Sequence, residues 1–189
     1  MPIEPFSTSP DPFRMGMQLP DGQLTVEDEK VLRKYSEGRE LVVNLGAYKG
    51  RSSVLLSYFA RRVIAVEGRL IPDQAVERLL ESAVNSRKNI DLKIALSWDA
   101  ADCVNDQTVG MVFVDAGHSY GDVMDDFNAW FPKLVRDGIM IFHDYKYMDG
   151  SVSESMNVRG AVDKIIASNP DTVEAVDEAG WCKVIRKVR

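Results

Sequence analysis

The chain has 189 residues, 45% hydrophobic and 28% charged, the size and composition of one globular α/β domain that buries a core without disulfide or metal staples. Its net charge of -6 and pI near 5.0 repel phosphate backbones, so nucleic acid is not an expected partner. No apolar run reaches membrane-spanning length, and the first residues have neither the basic start nor the apolar stretch of a signal peptide, so no membrane association and a cytoplasmic location are expected.

Pro2, Pro5, Pro10, Pro12 and Pro20 make residues 1–22 an irregular arm, whose apolar residues would suit a homodimer contact. The domain proper spans 23–189. Thr25 and Asp28 form a capping-box pair, and Val31, Leu32 and Tyr35 give the helix behind them one apolar face. A short strand at 41–43 is wholly apolar, as a strand buried on both faces would be. A helix from about Ser52 follows, with Val54, Leu55, Tyr58 and Phe59 inward. Val63–Val66 predicts a second strand, and Ala75, Val76, Leu79, Leu80 and Ala83 a second α/β helix. Ile90, Leu92, Ile94 and Leu96 alternate as a third strand, and Met111–Val114 makes a fourth. Val123, Phe127, Trp130, Phe131 and Leu134 lie on one helical stripe. Asp122, Asp125 and Asp126 read as solvated acids on the first turns of that helix. Ile139–Phe142 is a fifth strand, Ala161, Val162, Ile165 and Ile166 mark a further helix, and strands near 173–176 and 183–188 close a hairpin at 178–180. This alternation predicts an α/β fold: a doubly wound, Rossmann-like, mostly parallel sheet with a C-terminal antiparallel strand. The two cysteines, Cys103 and Cys182, sit in no CxxC or Cys/His cluster and read as small core hydrophobes.

In such a sheet ligands bind beyond the carboxyl ends of the strands. Asn44-Leu45-Gly46-Ala47-Tyr48-Lys49-Gly50 follows the first strand and leads into a helix, so its glycines can bring backbone close to a ligand. A dinucleotide-binding turn would need glycines at 46, 48 and 51, and the chain has Tyr48 and Arg51, which argues against a nicotinamide dehydrogenase. Glu67, 21 residues beyond Gly46, ends the second strand and can accept hydrogen bonds from both ribose hydroxyls of a nucleoside. Asp99, after the third strand, is placed to meet an adenine amino group.

These segments resemble the class I S-adenosylmethionine (SAM) dependent methyltransferases, in the small-molecule O-methyltransferase-like branch whose motif I is written G-x-Y-x-G-R-S. Gly46–Gly50 with Arg51-Ser52 matches that motif, and the likeness continues through Val66-Glu67, Ser97-Trp98-Asp99, Val114-Asp115 with His118-Ser-Tyr120, and Ile141-Phe142-His143-Asp144-Tyr145. The resemblance implies SAM as cofactor, held by Asn44, Gly46, Ala47, Tyr48, Gly50, Ser52, Glu67, Gly68, Ser97, Trp98, Asp99 and Asp115, and a small-molecule methyl acceptor. It also carries a departure: the family usually has Glu or Asp where Asn44 stands. Asn44 accepts a hydrogen bond but brings no charge.

Both histidines of the chain fall among the four ionisable groups beyond strands four and five: Asp115, His118, His143 and Asp144. Histidine titrates near neutrality and suits removal of a hydroxyl proton. A likeness to O-methyltransferases that carry a proton-taking basic residue at this place makes His118, at the start of the next helix, the leading base, with His143 and Asp144 as further catalytic candidates. In metal-dependent catechol-type O-methyltransferases, which this stretch also resembles, an Asp after strand four and an Asp–Asn pair after strand five hold Mg2+ or another divalent cation. Asp115 and Asp144 match two of those ligands, and Tyr145 stands in place of the Asn; without a metal, His143 or Lys146 would have to offset the two acids. The loop at 145–158 is placed to close over the acceptor, with Tyr145, Tyr147 and Met148 as an apolar wall, Trp98 beside the adenine or acceptor, and residues before Thr25 as a lid. The competing reading is a binding or scaffold protein that keeps the fold without catalysis, supported by Asn44 and the missing Asn beside Asp144. No N-P-P-[YFW] tetrapeptide of nucleic-acid methyltransferases occurs.

Overall fold

The computed structural model describes residues 19–68, 74–146 and 156–189. Helix α1 (Val26–Ser36) precedes β1 (Leu41–Leu45), and the chain then alternates α2 (Arg51–Ser57), β2 (Arg62–Glu67), α3 (Gln74–Asn85), β3 (Ile90–Ile94), a short 3-10 helix (Asp99–Cys103), β4 (Val109–Val114), α4 (Tyr120–Trp130), β5 (Leu134–Phe142) and α5 (Val158–Ser168), closing with β6 (Val173–Ala179) and β7 (Cys182–Lys187). The seven strands run β3-β2-β1-β4-β5-β7-β6 across one sheet. Pairings from β3 to β5 are parallel; β7 inserts antiparallel between β5 and β6. The expected doubly wound sheet with its antiparallel C-terminal hairpin is therefore present, with β6 rather than the last strand at the edge.

Strand alternation feeds two cores. In β1, Val43 and Leu45 pack into the layer made by α4, α5 and the 3-10 helix, while Val42 packs into the layer of α1, α2 and α3. Asn44 shares the Val42 face and so points at α2, where its amide donates to the Ser52 and Ser53 hydroxyls at 2.9 and 2.7 Å. The order of the sheet also reverses at β1 and β4, the switch point that opens a crevice beyond their carboxyl ends.

Four expectations are corrected. Leu134 opens β5 instead of closing α4, because Pro132 lacks an amide donor and ends the helix after Phe131. Leu79, Ile94 and Leu96 are half exposed, at 50, 48 and 48%; β3 forms one edge of the sheet. Cys103 is exposed and only Cys182 is a core residue. Asp126 is not a solvated acid: it lies on the Val123–Phe127–Trp130 stripe of α4 and is fully buried.

Burial pushes the Asp126 carboxyl up to about 7; Ser97 counters part of this and Asp122 and Asp125 add to it, yet neither oxygen closes a hydrogen bond. The folded value lies above the ordinary one of 3.8, so the residue costs nothing below pH 4 and progressively more as pH rises to 7. Asp126→Asn, which mimics the protonated acid, is expected to match the wild type at pH 4 and to exceed its stability at pH 8 by on the order of 2–4 kcal/mol. Denaturant unfolding at the two pH values checks it; an equal difference at both would contradict a buried ionisation.

Candidate active site

The carboxyl ends of β1, β2, β4 and β5 converge on a cavity of about 850 Å3. Its first wall is the turn after β1. Gly46 has φ +84, and a Cβ there would lie 1.9 Å from the Asp115 carbonyl oxygen. Only glycine allows β1 and β4 to approach this closely while the chain turns left-handed. The amides of Gly46 and Ala47 both donate to the Val66 carbonyl, which ties the turn to β2. Tyr48 follows in the left-handed region as well, with φ 48. That conformation aims its N–H at Glu67 Oε2, 2.6 Å away, while the Gly68 N–H donates to Oε1 at 3.1 Å. Glu67 is thereby fixed at the seam of β1 and β2 with a lone pair left on each oxygen.

Gly46, Ala47, Tyr48, Ser52, Glu67, Gly68, Ser97, Trp98 and Asp115 line the cavity, as do His118, His143 and Asp144. Three of the expected cofactor-binding residues do not line it. Asn44 is buried behind the turn, bracing α2, and its Oδ1 has no partner. Gly50, at φ +88, is the N-cap of α2, where a Cβ would strike the Ala83 methyl at 2.6 Å; it seats the turn on α3. Asp99 is exposed at the start of the 3-10 helix, outside the cavity wall.

The opposite wall carries the ionisable groups. His118 stands just before α4, whose cap is the Ser119–Asp122 box, so the ring is free of capping duty. Its carbonyl accepts the Asn157 N–H at 2.8 Å, which anchors it to the start of α5. Its Nε2 lies 2.9 Å from Asp144 Oδ2 and 3.7 Å from Asp115 Oδ1. His143 is 4% exposed, with Nδ1 3.2 Å from Asp115 and 3.3 Å from Asp144. These Nδ1 contacts are electrostatic, since neither has hydrogen-bond geometry. Asp144 adopts φ 58, a left-handed conformation that turns its carboxylate between the two rings.

The charges interlock. Hydrogen bonding to Asp115 and then to Asp144 pushes His118 up to about 9 against the opposing effect of burial. Burial would neutralise His143, but Asp115, Asp144 and Asp28 together raise it well above its ordinary value. Burial likewise opposes ionisation of Asp144, yet the two imidazoles hold it far below the usual carboxylate range. The two histidines therefore neutralise the carboxylates, and Lys146 does not take part: it pairs with Glu178 at 3.3 Å. Asp115, His118 and Asp144 bring one ligand atom each within 4.8 Å of one another. Tyr145 adds none, since its hydroxyl donates to Asp163 at 2.7 Å and its ring is in the core. Tyr147 and Met148 lie outside the described residues, as do residues 1–18 of the arm.

Asp21–Leu24, part of the segment before Thr25 expected as a lid, reach the cavity rim. Their entry is pinned by Arg51, which donates to the Pro20 carbonyl at 2.6 Å and to the fully buried Glu29. Met156 and Trp181 complete the wall.

The profile of a methyltransferase domain matches residues 43–145, more than half of the chain and the whole run from β1 to the β5 end just described. The chain belongs to this methyltransferase domain family. Solved methyltransferase structures share its fold. They include a proposed O-methyltransferase from Klebsiella pneumoniae (TM-score 0.70, 9% identity, 90% of this chain and 84% of that one). A proposed methyltransferase from Streptococcus mutans in complex with SAH aligns at TM-score 0.62 with 11% identity over 85% and 95%. A proposed caffeoyl-CoA O-methyltransferase from Staphylococcus aureus aligns at 0.60 with 17% identity over 93% and 88%. A 46-residue stretch of the chain is 41% identical to an uncharacterized protein of Sinorhizobium fredii, covering 24% of the chain and 5% of that protein.

Proposed function

We propose that this methyltransferase domain transfers a methyl group from SAM to a hydroxyl oxygen of a small molecule. The observation that carries this reading is the cavity itself, where the Gly46 turn and Glu67 face the His118–Asp144 pair. Membership of the family supports methyl transfer, and the neighbours described as O-methyltransferases support oxygen as the acceptor atom.

The residues present fit SAM. A Cβ at Gly46 would fill the approach to the β1 turn, and Glu67 offers two oriented acceptors for a ribose diol. Ser97 and Trp98 would flank the adenine. When bound, SAM supplies a methyl group on a positively charged sulfur. The chain aligns the acceptor and excludes water. Asp144 holds His118 at Nε2, orients the ring and balances its charge once protonated, so His118 takes the hydroxyl proton on Nδ1, the nitrogen Asp144 does not hold. Asn44 does the work of a brace rather than a cofactor ligand, so the lack of a carboxylate there leaves the Glu67 side of the cavity intact.

A hard divalent cation fits the Asp115–His118–Asp144 group poorly. Its two carboxylates are already matched with imidazoles, its third group is a ring nitrogen, and position 145 offers no amide. Calorimetric titration with SAM is expected to give micromolar binding, unchanged between magnesium and EDTA, and an acceptor screen is expected to give EDTA-resistant turnover. Absence of binding at millimolar SAM would overturn the enzyme reading in favour of a fold retained without catalysis. A magnesium requirement would restore Asp115 and Asp144 as ligands.

A further inference from the structure

Asp28 lies outside the cavity and belongs to the amino-terminal helix, yet it holds two of the cavity's walls. Its Oδ2 accepts from the Thr25 N–H at 2.8 Å and the Thr25 hydroxyl at 2.7 Å, which completes the capping box of α1. The same oxygen lies 3.4 Å from His143 Nε2. Its Oδ1 accepts the Trp181 N–H at 2.8 Å and faces the Cys182 thiol at 3.5 Å. His143 and Trp181 both line the cavity, with ring centroids 5.9 Å apart.

Capping alone does not explain this arrangement. A capping carboxylate ordinarily stands in solvent, and taking it out of water is costly unless it is paired. Asp28 is fully buried, and the β6–β7 turn is pressed onto it: Gly180 has φ +59, and a Cβ there would lie 2.2 Å from Asp28 Oδ1. The hairpin thus closes against this one side chain. His143 in turn presents its other nitrogen to Asp115 and Asp144, and Asp144 holds His118. A continuous path leads from the α1 cap through His143 to the group that faces the acceptor.

We infer that Asp28 is a positioning residue for the methyl-transfer site, clamping His143 against Asp115 and Asp144 and seating Trp181 in the cavity wall. The inference rests on the proposed methyl-transfer reading. It explains why α1, which precedes the β1–β5 run, belongs to the working unit: among the described residues, the partner of the buried His143 Nε2 is Asp28.

Two variants separate clamp from cap. Thr25→Ala removes the cap hydroxyl and keeps the carboxylate; Asp28→Asn keeps the shape and removes the charge. The chain has two histidines, so ring 15N NMR of the free protein reads both sites. Thr25→Ala is expected to lower the melting temperature and leave the His143 ring signals and kcat unchanged. Asp28→Asn is expected to displace the His143 signals and to lower kcat about 10- to 100-fold, with SAM affinity and KM nearly unchanged. Equal effects of the two variants on signals and kcat, tracking the loss of melting temperature, would overturn the clamp. Should Asp28→Asn not fold, the wild type still decides: a hydrogen-bonded, slowly exchanging His143 Nε2 proton supports the clamp, and a freely exchanging one overturns it. A wild type that binds no SAM while Asp28→Asn still displaces the ring signals would defeat the methyl-transfer reading and leave the Asp28–His143 contact standing.

Discussion

Gly46→Ala is expected to abolish SAM binding and to lower the melting temperature by about 10 °C. Two effects add. The residue sits at φ +84, where a side chain is strained by roughly 1–2 kcal/mol. The new Cβ also falls 1.9 Å from the Asp115 carbonyl oxygen and 2.6 Å from its carbon. That neighbour is backbone, held by its own N–H to the Leu45 carbonyl at 3.0 Å, so it cannot swing away as a side chain would. Relief requires parting β1 from β4 at their carboxyl ends, where the cavity begins, and overpacking of this kind costs a further 1–3 kcal/mol or more. Gly38 supplies the control. It has φ +74 but nothing within 4 Å of its would-be Cβ, so Gly38→Ala carries the strain alone and should cost about 2–8 °C with SAM affinity intact. Calorimetry of both variants, by thermal scan and by SAM titration, measures the difference. If the two lose the same stability and both bind SAM, the approach of β1 to β4 is not what demands glycine at 46.

The fold was legible because its inner strands are buried on both faces. Val63–Val66 and Met111–Val114 are continuous apolar runs that no amphipathic helix would carry, and once their parallel order is granted the site must lie beyond their carboxyl ends. That rule placed Glu67, Asp115, His118 and Asp144 in one cavity from sequence alone. Periodicity erred where two elements share a phase: Leu134 continues the spacing of Trp130 and Phe131, and only Pro132 marks the change from helix to strand. It also identifies a face without saying what covers it, which is why Leu79 and Ile94 at the β3 edge are half exposed. Asp126 was readable, since it falls between Val123 and Phe127 on the inward stripe, but acids are so rarely buried unpaired that its neighbours Asp122 and Asp125 set the expectation. The Asp28–His143 contact was not readable by any local rule. It spans 115 positions and exists because β7 enters the sheet beside β5 and its hairpin folds back over α1. Asn44 failed in a related way: its position in the chain is that of a cofactor ligand, but strand alternation turns it towards Ser52 and Ser53.

His118→Ala and Asp144→Asn are each expected to lower kcat by roughly 100- to 10,000-fold with SAM affinity retained, as loss of a general base or its partner does. Asn tolerates the left-handed conformation that Asp144 adopts at φ 58, so the second variant removes charge and leaves the turn. The double variant should be little worse than the poorer single one, because the two groups act as a unit. The pH dependence is the sharper test. His118 is pushed up to about 9 by Asp115 and Asp144, so at neutral pH the ring is an imidazolium and most molecules lack the base. Turnover in the wild type is therefore expected to rise about tenfold per pH unit from neutrality and level off near 9. Stability runs the other way. A raised imidazole stabilises the fold fully below its ordinary value of 6.5, and that contribution is lost as pH climbs through about 9. The ring is about one-third exposed, so solvent screens the loss and it should be small. His118→Ala should abolish both trends. Asp144→Asn removes one of the two carboxylates that raise His118, so its residual activity should level off at a lower pH than the wild type's, and its deficit should be smaller at pH 7 than at pH 9. A wild-type profile flat between 7 and 9, with a large loss in His118→Ala, would mean that the ring aligns the acceptor without taking its proton.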